Sequence, residues 1–254
     1  MEIENIEFTY KNGKKKVLDN ISFKIEEGKI TTLIGANGCG KSTLFNVLTK
    51  NLKPQKGKVL LYGENIEKIP LKKFASKVAI VHQYNTAPND ITAEKLISYG
   101  RIAHNGFYKR NCDEDEKCIK FAIDITGISD FAKSPISQLS GGQRQRVWIA
   151  MALAQNTKYL FLDEPTTYLD IKYQIEILQL VRKLNEEYGI TIIMVLHDIN
   201  QSIAYSDCII AMKDGKITAN GNQDKVITKE LLREVYDVNL SVEEIENKKF
   251  VLAV

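Results

Sequence analysis

The sequence predicts an α/β fold with a mostly parallel sheet, an antiparallel β segment at the N-terminus and an inserted α-helical subdomain. Alternating Ile21, Phe23 and Ile25 indicate a half-buried strand early in the chain. Between about residues 85 and 156, helical patterns replace the strands. Mainly apolar runs, each followed at once by glycine or a polar residue, are typical of buried parallel strands. These runs cover residues 30–34, 78–82, 159–162 and 190–196.

The chain is long enough for one domain with a large core. At 254 residues it could form a single domain or a domain with a subdomain. The dipeptide Asp214-Gly215 lies between two strand-like segments and predicts the turn of a late hairpin. The tail from residue 221 suggests no function. We expect one domain over 1–254, with a core of 1–84 and 157–220, a helical subdomain over 85–156 and a tail over 221–254.

Composition narrows the class of protein. There is no run of 18 apolar residues and no basic leader before an apolar stretch, so we expect a cytosolic protein without a membrane span of its own. A net charge of +3 does not argue for nucleic-acid binding. The cysteines, at 39, 112, 118 and 208, are scattered and suggest neither a zinc site nor a disulfide framework. Cys39 precedes a predicted helix, which would favour its thiolate; the alternative is a small loop residue.

Residues 35–42 fit the pattern G-x-x-x-x-G-K-[ST] of a phosphate-binding loop. They follow the first apolar run, and a helical pattern begins at Thr43. Glycines let the backbone approach an anion closely, and the following helix directs its free N-H groups at it. We expect Lys41 to reach the β and γ phosphates of a nucleotide and Ser42 to bind Mg²⁺. The residues assigned to the nucleotide are Gly35, Ala36, Asn37, Gly38, Cys39, Gly40, Lys41, Ser42 and Thr43.

Polar side chains follow the other apolar runs. Asp163 and Glu164 come after one run, Gln83 after another and His197 after a third. Ligands bind at the carboxyl ends of such strands. We therefore expect Asp163 to hold Mg²⁺ through its water shell, and Glu164 to polarise an attacking water. Gln83 offers a carbonyl oxygen to Mg²⁺, and His197 a hydrogen bond to the γ-phosphate. The alternatives are a solvated acidic turn and a structural histidine.

A second anion site is predicted at residues 139–143, whose sequence is L-S-G-G-Q. The Ser140 hydroxyl and the following glycines open an Ala-rich helix, so its N-terminus faces an anion in the same way as the first loop. One nucleotide does not need two such cradles from one chain. The sequence therefore points to a second chain that completes the site.

With these motifs, the chain resembles the nucleotide-binding subunit of an ATP-binding cassette (ABC) transporter over nearly its whole length. Residues 139–143 match that family's signature, and the order of the motifs also matches. The resemblance implies a P-loop NTPase core and a head-to-tail homodimer. Each ATP would lie between the phosphate loop of one subunit and the signature of the other. The signature residues that would contact it are Ser140, Gly141, Gly142 and Gln143.

Two further residues take roles from the resemblance. Tyr10 resembles the aromatic residue that stacks on adenine; the alternative is an ordinary strand aromatic. Asp170 would lie at the dimer interface. Independently of the resemblance, the sequence pattern predicts that Asp170 is the N-cap of a helix. The apolar face predicted for that helix is made by Ile171, Ile175, Leu178, Val181 and Leu184.

The resemblance also implies partners and a location. An integral membrane permease would lie against residues 83–101, and a substrate-binding protein would act indirectly through it. The subunit would be peripheral, on the cytoplasmic face of the cell membrane. Segments 99–101, 165–171 and 197–202 look like those of importers for iron-siderophore, haem or cobalamin complexes, with iron-siderophore preferred. Ser202 departs from this pattern, since many relatives have alanine there.

Two alternatives to a transport ATPase remain open at this point. One is a soluble cassette ATPase that acts as a nucleic-acid or assembly module without a permease. A long coiled coil before residue 139 or a strongly basic face would favour it, and the sequence contains neither. The other is a switch that binds ATP without hydrolysing it, against which Glu164 and His197 both argue.

Overall fold

A computed structural model describes residues 1–11, 13, 15–104 and 112–253, with the side chains of Cys112 and Ala253 outside the description. Its strands are β1 (Glu2–Phe8), β2 (Leu18–Lys24), β3 (Ile30–Gly35), β4 (Lys56–Leu61), β5 (Glu64–Asn65), β6 (Val78–Val81), β7 (Tyr159–Asp163), β8 (Thr191–Val195), β9 (Cys208–Lys213), β10 (Lys216–Gly221), β11 (Leu240–Ile245) and β12 (Lys248–Ala253). Its helices are α1 (Lys41–Leu48), α2 (Leu71–Ala75), α3 (Ala93–Ser98), α4 (Cys112–Thr126), α5 (Gly141–Ala154), α6 (Ile171–Tyr188), α7 (Ile199–Tyr205), α8 (Gln223–Val226) and α9 (Lys229–Tyr236).

The chain divides into two compact units. The first unit is Met1–Ile69 with Thr191–Val254, and the second unit is Pro70–Ile190. The predicted helical segment, residues 85–156, falls within the second unit, which also contains the strands β6 and β7. The narrower boundaries of the subdomain stay a prediction.

The first unit contains a mainly parallel arrangement of strands around β3. β3 pairs in parallel with β8 on one side and β9 on the other, and β10 runs antiparallel to β9. Every residue of β3 and of β8 is buried, which explains why both strands are continuously apolar or threonine-containing. A separate antiparallel sheet has the strand order β2-β1-β4-β5. The predicted fold class, with its N-terminal antiparallel segment, is confirmed.

The predicted late hairpin is formed by β9 and β10. Asp214 and Gly215 occupy its turn with φ angles of 47° and 78°. Two successive positive φ values match the twist of the strands that they join, and such turns favour Asp-Gly. Asp214 and Gly215 were enough to predict this hairpin, because their backbone preferences select the type of turn.

The tail folds back on the first unit. Helices α8 and α9 are followed by the hairpin of β11 and β12. Val251 is held by Asn200 through two hydrogen bonds, of 3.0 and 2.8 Å. Burial raises the pKa of Tyr236, the last residue of α9, to about 12. The apolar cluster that tail and core share contains Ile34, Ile203, Ile209, Ala211, Val226, Ile227, Leu232, Val235 and Val251. The tail is therefore an integral part of the packed core of this unit.

The second unit places helices around the parallel pair of β6 and β7. Arg101 lies in a short 3₁₀ helix after α3 and is only 3% exposed. Its guanidinium bonds the Asp115 carboxylate at 2.7 Å and the Ala154 carbonyl at 2.8 Å. Arg101 therefore ties the segment after α3 to α4 and to the end of α5. The Arg101 side chain therefore makes its contacts within this chain, although the residue lies in the segment expected to face a membrane partner.

The predicted apolar face of α6 is only partly buried. Leu178, Val181 and Leu184 are buried, but Ile171 is 74% and Ile175 40% exposed. The predicted helix is present, and no described part of the chain covers its first two turns. None of the helices within the described residues is long and apolar enough to cross a membrane.

Candidate functional site

The candidate residues fall into two groups, one in each unit. Tyr10, the phosphate loop and His197 belong to the first unit. The second unit contains the others, which are Gln83, Ser140, Gly141, Gly142, Gln143, Asp163, Glu164 and Asp170.

Strand register explains why candidate residues meet in each group. In the first unit Leu33 pairs with Val195, and in the second unit Val81 pairs with Leu162. Two residues beyond these pairs lie Gly35 with His197, and Gln83 with Glu164. Because both pairs of strands are parallel, the residues that follow them leave at the same edge. Each group thus gathers its polar residues at the carboxyl ends of its strands.

The phosphate loop runs from β3 into α1 and depends on glycine at both ends. Gly35 has φ of 147°, and a Cβ there would lie 2.3 Å from the Met212 carbonyl oxygen. Gly40 is the N-cap of α1 with φ of 110°, and a Cβ there would lie 2.9 Å from the Val17 carbonyl oxygen. Both positions exclude larger residues because the chain itself crowds them, and both have a backbone that favours glycine.

The start of α1 is arranged to accept an anion. No side chain caps this helix, and its first turn contains no acidic residue. The helix therefore offers its first N-H groups and the positive end of its dipole without an internal competitor. Asn37, Gly38 and Ser42 are exposed, so the loop and the Ser42 hydroxyl are accessible. This arrangement fits a phosphate group.

Lys41 is held inside the loop. Its side chain is buried, and its ammonium donates to the Gly35 carbonyl at 2.7 Å and the Ala36 carbonyl at 3.1 Å. These two carbonyl oxygens fix the cation where the loop begins. A phosphate at the start of α1 would meet the positive charge of Lys41, which the two carbonyl oxygens already hold in position.

Cys39 does not behave as the helix position suggested. Its side chain is buried, and burial raises the pKa of the thiol although Lys41 nearby opposes the shift. The Lys41 ammonium lies 4.0 Å from its sulfur. Of the two interpretations of Cys39, the small loop residue is therefore favoured over the thiolate, because loss of hydration outweighs the neighbouring positive charge.

Tyr10 lies beside the phosphate-loop helix. Its hydroxyl is 3.1 Å from the Thr43 hydroxyl, and its ring meets Phe8 edge to face at 4.9 Å between centroids. The ring is about half exposed. An accessible ring fixed beside α1 suits a planar ligand group, and its adenine role stays a prediction.

In the second unit, Gln83 contacts Glu164 directly. The Gln83 side-chain nitrogen donates to Oε2 of Glu164 at 2.6 Å. The Thr167 hydroxyl bonds the same oxygen at 3.0 Å. Gln83 thus uses its amide nitrogen here, not the carbonyl oxygen expected for Mg²⁺. Asp163 ends β7 and is half-buried beside them.

The start of α5 is capped by its own side chains. The Ser140 hydroxyl accepts from the Gln143 N-H at 3.2 Å, and the Gln143 side chain accepts from the Ser140 N-H at 2.9 Å. This reciprocal pair is a capping box. Gly142 packs so closely that a Cβ there would lie 2.4 Å from the Tyr173 ring. Ser140 and Gly141 are exposed, so this helix end is also accessible.

Asp170 caps α6 as predicted. Its carboxylate accepts from the Tyr173 N-H at 3.1 Å, and the residue is exposed. His197 is exposed as well, just before Asp198, which caps α7. The side chains of Asp170 and His197 are therefore both accessible to solvent.

Sequence reasoning missed three side chains near Glu164. Thr167 bonds the Glu164 carboxylate, and the hydroxyls of Tyr84 and Tyr168 are 3.0 Å apart. Thr167 follows Glu164 by three residues, so a tight turn after the strand was the available signal. Nothing in the sequence links residue 84 with residue 168.

Known proteins are similar to this chain along most of its length. A profile described as ABC transporter matches residues 18–167. The iron(3+)-hydroxamate import ATP-binding protein FhuC of Bacillus subtilis (strain 168) is 45% identical over 230 residues, which cover 91% of this chain and 86% of that protein. The ferric enterobactin transport ATP-binding protein FepC of Escherichia coli (strain K12) is 43% identical over 230 residues, covering 91% and 85%.

A solved structure is similar as well. It is the dimeric structure of a post-hydrolysis state of the ATP-binding cassette MJ0796 bound to ADP and Pi. Its TM-score is 0.75 at 31% sequence identity, and the match covers 87% of this chain and 97% of that one.

Proposed function

Because the chain belongs to the ABC transporter family, we propose that it is the ATP-binding and ATP-hydrolysing subunit of an importer, with an iron-siderophore complex as the cargo. The main support is the phosphate loop, in which the uncapped start of α1 lies beside the buried side chain of Lys41. The cargo is supported by FhuC and FepC, which are named for iron(3+)-hydroxamate import and ferric enterobactin transport.

In this proposal the ATP phosphates bind the loop from Gly35 to Thr43. The N-H groups of α1 donate to the phosphate oxygens, and Lys41 exchanges its carbonyl partners for the β and γ phosphates. Tyr10 stacks on the adenine. The exposed half of its ring and its fixed position beside Thr43 support that role.

Each of the predicted Mg²⁺ ligands carries an oxygen donor. Magnesium binds oxygen ligands and keeps several of its waters. Ser42 has an exposed hydroxyl at the start of α1, and Gln83 and Asp163 both carry oxygen donors. These three residues would hold the ion, which neutralises charge on the phosphates when it is bound. Gln83 must then turn, since its nitrogen faces Glu164.

Hydrolysis is assigned to Glu164 and His197. The Glu164 carboxylate accepts a proton from water as the water oxygen attacks the γ-phosphorus, and the bond to the β-phosphate oxygen breaks to release ADP. His197 orients the γ-phosphate through a hydrogen bond. Glu164 is half-buried at the end of β7, which suits a base that is shielded from bulk water.

A homodimer completes each nucleotide site. Ser140 to Gln143 of a second copy bind the nucleotide held by the first, with Asp170 at the interface. The dimeric form of MJ0796 supports this arrangement. The exposed Ile171 and Ile175 next to Asp170 also support it, since a second copy would remove them from water.

The other proposed partners are an integral membrane permease and, through it, a substrate-binding protein. The chain would lie at the cytoplasmic face of the membrane. The alternative of a soluble nucleic-acid or assembly module is not favoured, because FhuC and FepC are named for import and transport.

Uptake driven by ATP tests the proposal. The chain is reconstituted in vesicles with its permease and binding protein, and entry of a radioactive ferric hydroxamate is measured with ATP and Mg²⁺. We expect Glu164→Gln to reduce turnover by about 100-fold or more, as loss of a general base does, while ATP binding persists and the dimer stays closed. Glu187→Gln is the matched control, since Glu187 is an exposed acid of α6 in the same unit.

Two results would contradict the proposal in different ways. Turnover near the parent rate in Glu164→Gln would reject Glu164 as the base. Uptake of haem or cobalamin, with no uptake of ferric hydroxamate or ferric catecholate, would reject the cargo but retain the ATPase.

A further inference from the structure

Two consecutive residues, Gln83 and Tyr84, contact the segment that follows β7. Gln83 donates to Oε2 of Glu164 at 2.6 Å. The Tyr84 hydroxyl lies 3.0 Å from the Tyr168 hydroxyl, with ring centroids 6.3 Å apart. The two contacts therefore join the same pair of segments at two points, one at the carboxylate and one at the surface.

The segment from Glu164 to Tyr168 has a defined and strained shape. Glu164 has φ of 50° and Tyr168 φ of 64°, a region that non-glycine residues rarely adopt. The Thr167 N-H donates to the Glu164 carbonyl at 3.2 Å and closes a turn between them. Such conformations persist where surrounding contacts hold them. The tyrosine pair is one such contact.

Core packing does not explain the tyrosine pair. Tyr84 is 70% and Tyr168 81% exposed, so the rings remove little apolar surface from water. The hydrogen bond to Tyr168 raises the pKa of the Tyr84 hydroxyl. Its main effect is to fix the position of Tyr84, and with it the adjacent Gln83.

The contacts on Glu164 occupy one of its two carboxylate oxygens. Both Gln83 and Thr167 direct a hydrogen bond at the same carboxylate oxygen. An oxygen that already accepts two hydrogen bonds is less accessible to a third donor such as a water molecule. In this arrangement, one oxygen of the Glu164 carboxylate is occupied by contacts within the chain.

We propose that Tyr84 and Tyr168 are positioning residues that act as a surface latch, holding Gln83 on Glu164 and so restraining the carboxylate. This inference rests on the proposed role of Glu164 in ATP hydrolysis. Opening the latch frees Gln83 to turn and leaves the Glu164 oxygen that it occupied accessible to a water molecule. A contact that displaces either exposed ring opens it.

Removal of each hydroxyl tests the latch with little risk to folding. Tyr84→Phe and Tyr168→Phe keep both exposed rings. We expect each to raise kcat for ATP about 2- to 10-fold, the value of one neutral hydrogen bond, with KM unchanged. The double variant should match the single ones because all three lack the same bond. Tyr188→Phe is the control, an exposed tyrosine of the same unit whose ring packs on Phe121.

A second measurement does not depend on turnover. Non-additive loss of unfolding free energy in the two single variants and the double variant supports the hydroxyl pair, and strict additivity overturns it. Unchanged or reduced kcat in both single variants overturns the latch, as does a rise in KM alone. Absence of ATP hydrolysis by the parent protein rejects the proposed function instead, and the two failures are thereby distinguished.

Discussion

The starts of α1 and α5 both lie in a glycine-containing motif, yet they are built differently. At α1 no side chain caps the helix, and Lys41 is already stored inside the loop. At α5 a reciprocal pair between Ser140 and Gln143 occupies the helix end. The first helix end offers its N-H donors directly, whereas at the second the Ser140 hydroxyl and two N-H groups are in use within the chain.

This difference gives the two motifs different tasks. An uncapped end with a fixed cation needs little rearrangement to bind a phosphate, because its donors have no competing acceptor. The capped end needs a ligand that competes with an existing hydrogen bond. We infer that the first motif binds nucleotide in the single chain, whereas the second contributes only when a second copy brings nucleotide to it.

The largest effect is expected at the uncapped end. Lys41→Ala removes the stored cation and should weaken ATP binding by about 10- to 100-fold, because hydrogen bonds to charged groups contribute about 1.5–3 kcal/mol. Calorimetric titration of the chain with ATP measures it. Lys53→Ala, at an exposed lysine of the same unit, is the control. If the Lys41→Ala variant bound ATP as tightly as the parent protein, the proposed difference between the starts of α1 and α5 would be wrong.

A steric pair of variants tests the capped end. Gly142→Ala places a Cβ 2.4 Å from the Tyr173 ring, whereas in Gly141→Ala the nearest atom, on Leu169, is at 3.5 Å. We expect Gly142→Ala to lower the free energy of unfolding by about 1–3 kcal/mol, the usual cost of overpacking. Gly141→Ala should leave stability nearly unchanged. Equal stability of the two variants in urea titration would show that α5 and α6 are less tightly packed than the distances indicate.

Removal of the cap itself should have a smaller effect on folding. Ser140→Ala should cost about 1 kcal/mol, like other N-cap losses. Thr92→Ala removes the cap of α3 in the same unit and should cost a similar amount. Only Ser140→Ala should reduce ATP hydrolysis by the dimer while ATP binding to the single chain is retained. If both variants reduced hydrolysis equally, the hydroxyl at the capped end would have no role beyond the cap.

The smallest effect concerns Cys39 at the uncapped end. Burial raises the pKa of its thiol, so the thiolate fraction at neutral pH is below that of an ordinary cysteine. Alkylation by iodoacetamide at pH 7.5 should be slower in the folded protein than in urea, and should increase as the pH rises toward 9. Peptide mass spectrometry measures the rate at this site. Rapid modification of folded Cys39 at neutral pH would mean that the helix end activates the thiol after all.

Much of the fold was predictable because strand and turn preferences are local. The apolar run before the phosphate loop became the buried strand β3, and Asp214-Gly215 became the turn between β9 and β10. The exposure of Ile171 and Ile175 on α6 could not be predicted, since a helical period shows which residues share a face but not what covers it. The burial of Cys39 could not be predicted either, because it depends on distant parts of the chain.

The sequence by itself determined the fold class, the family and the strand ends that carry Gln83, Glu164 and His197, since each follows from residues that are adjacent or regularly spaced. Tertiary structure alone decided that Gln83 turns its nitrogen to Glu164 and that Tyr84 meets Tyr168. These contacts join residues 81 and 84 positions apart. Which atoms meet across such a separation depends on strand register and side-chain rotation, and no local preference encodes either.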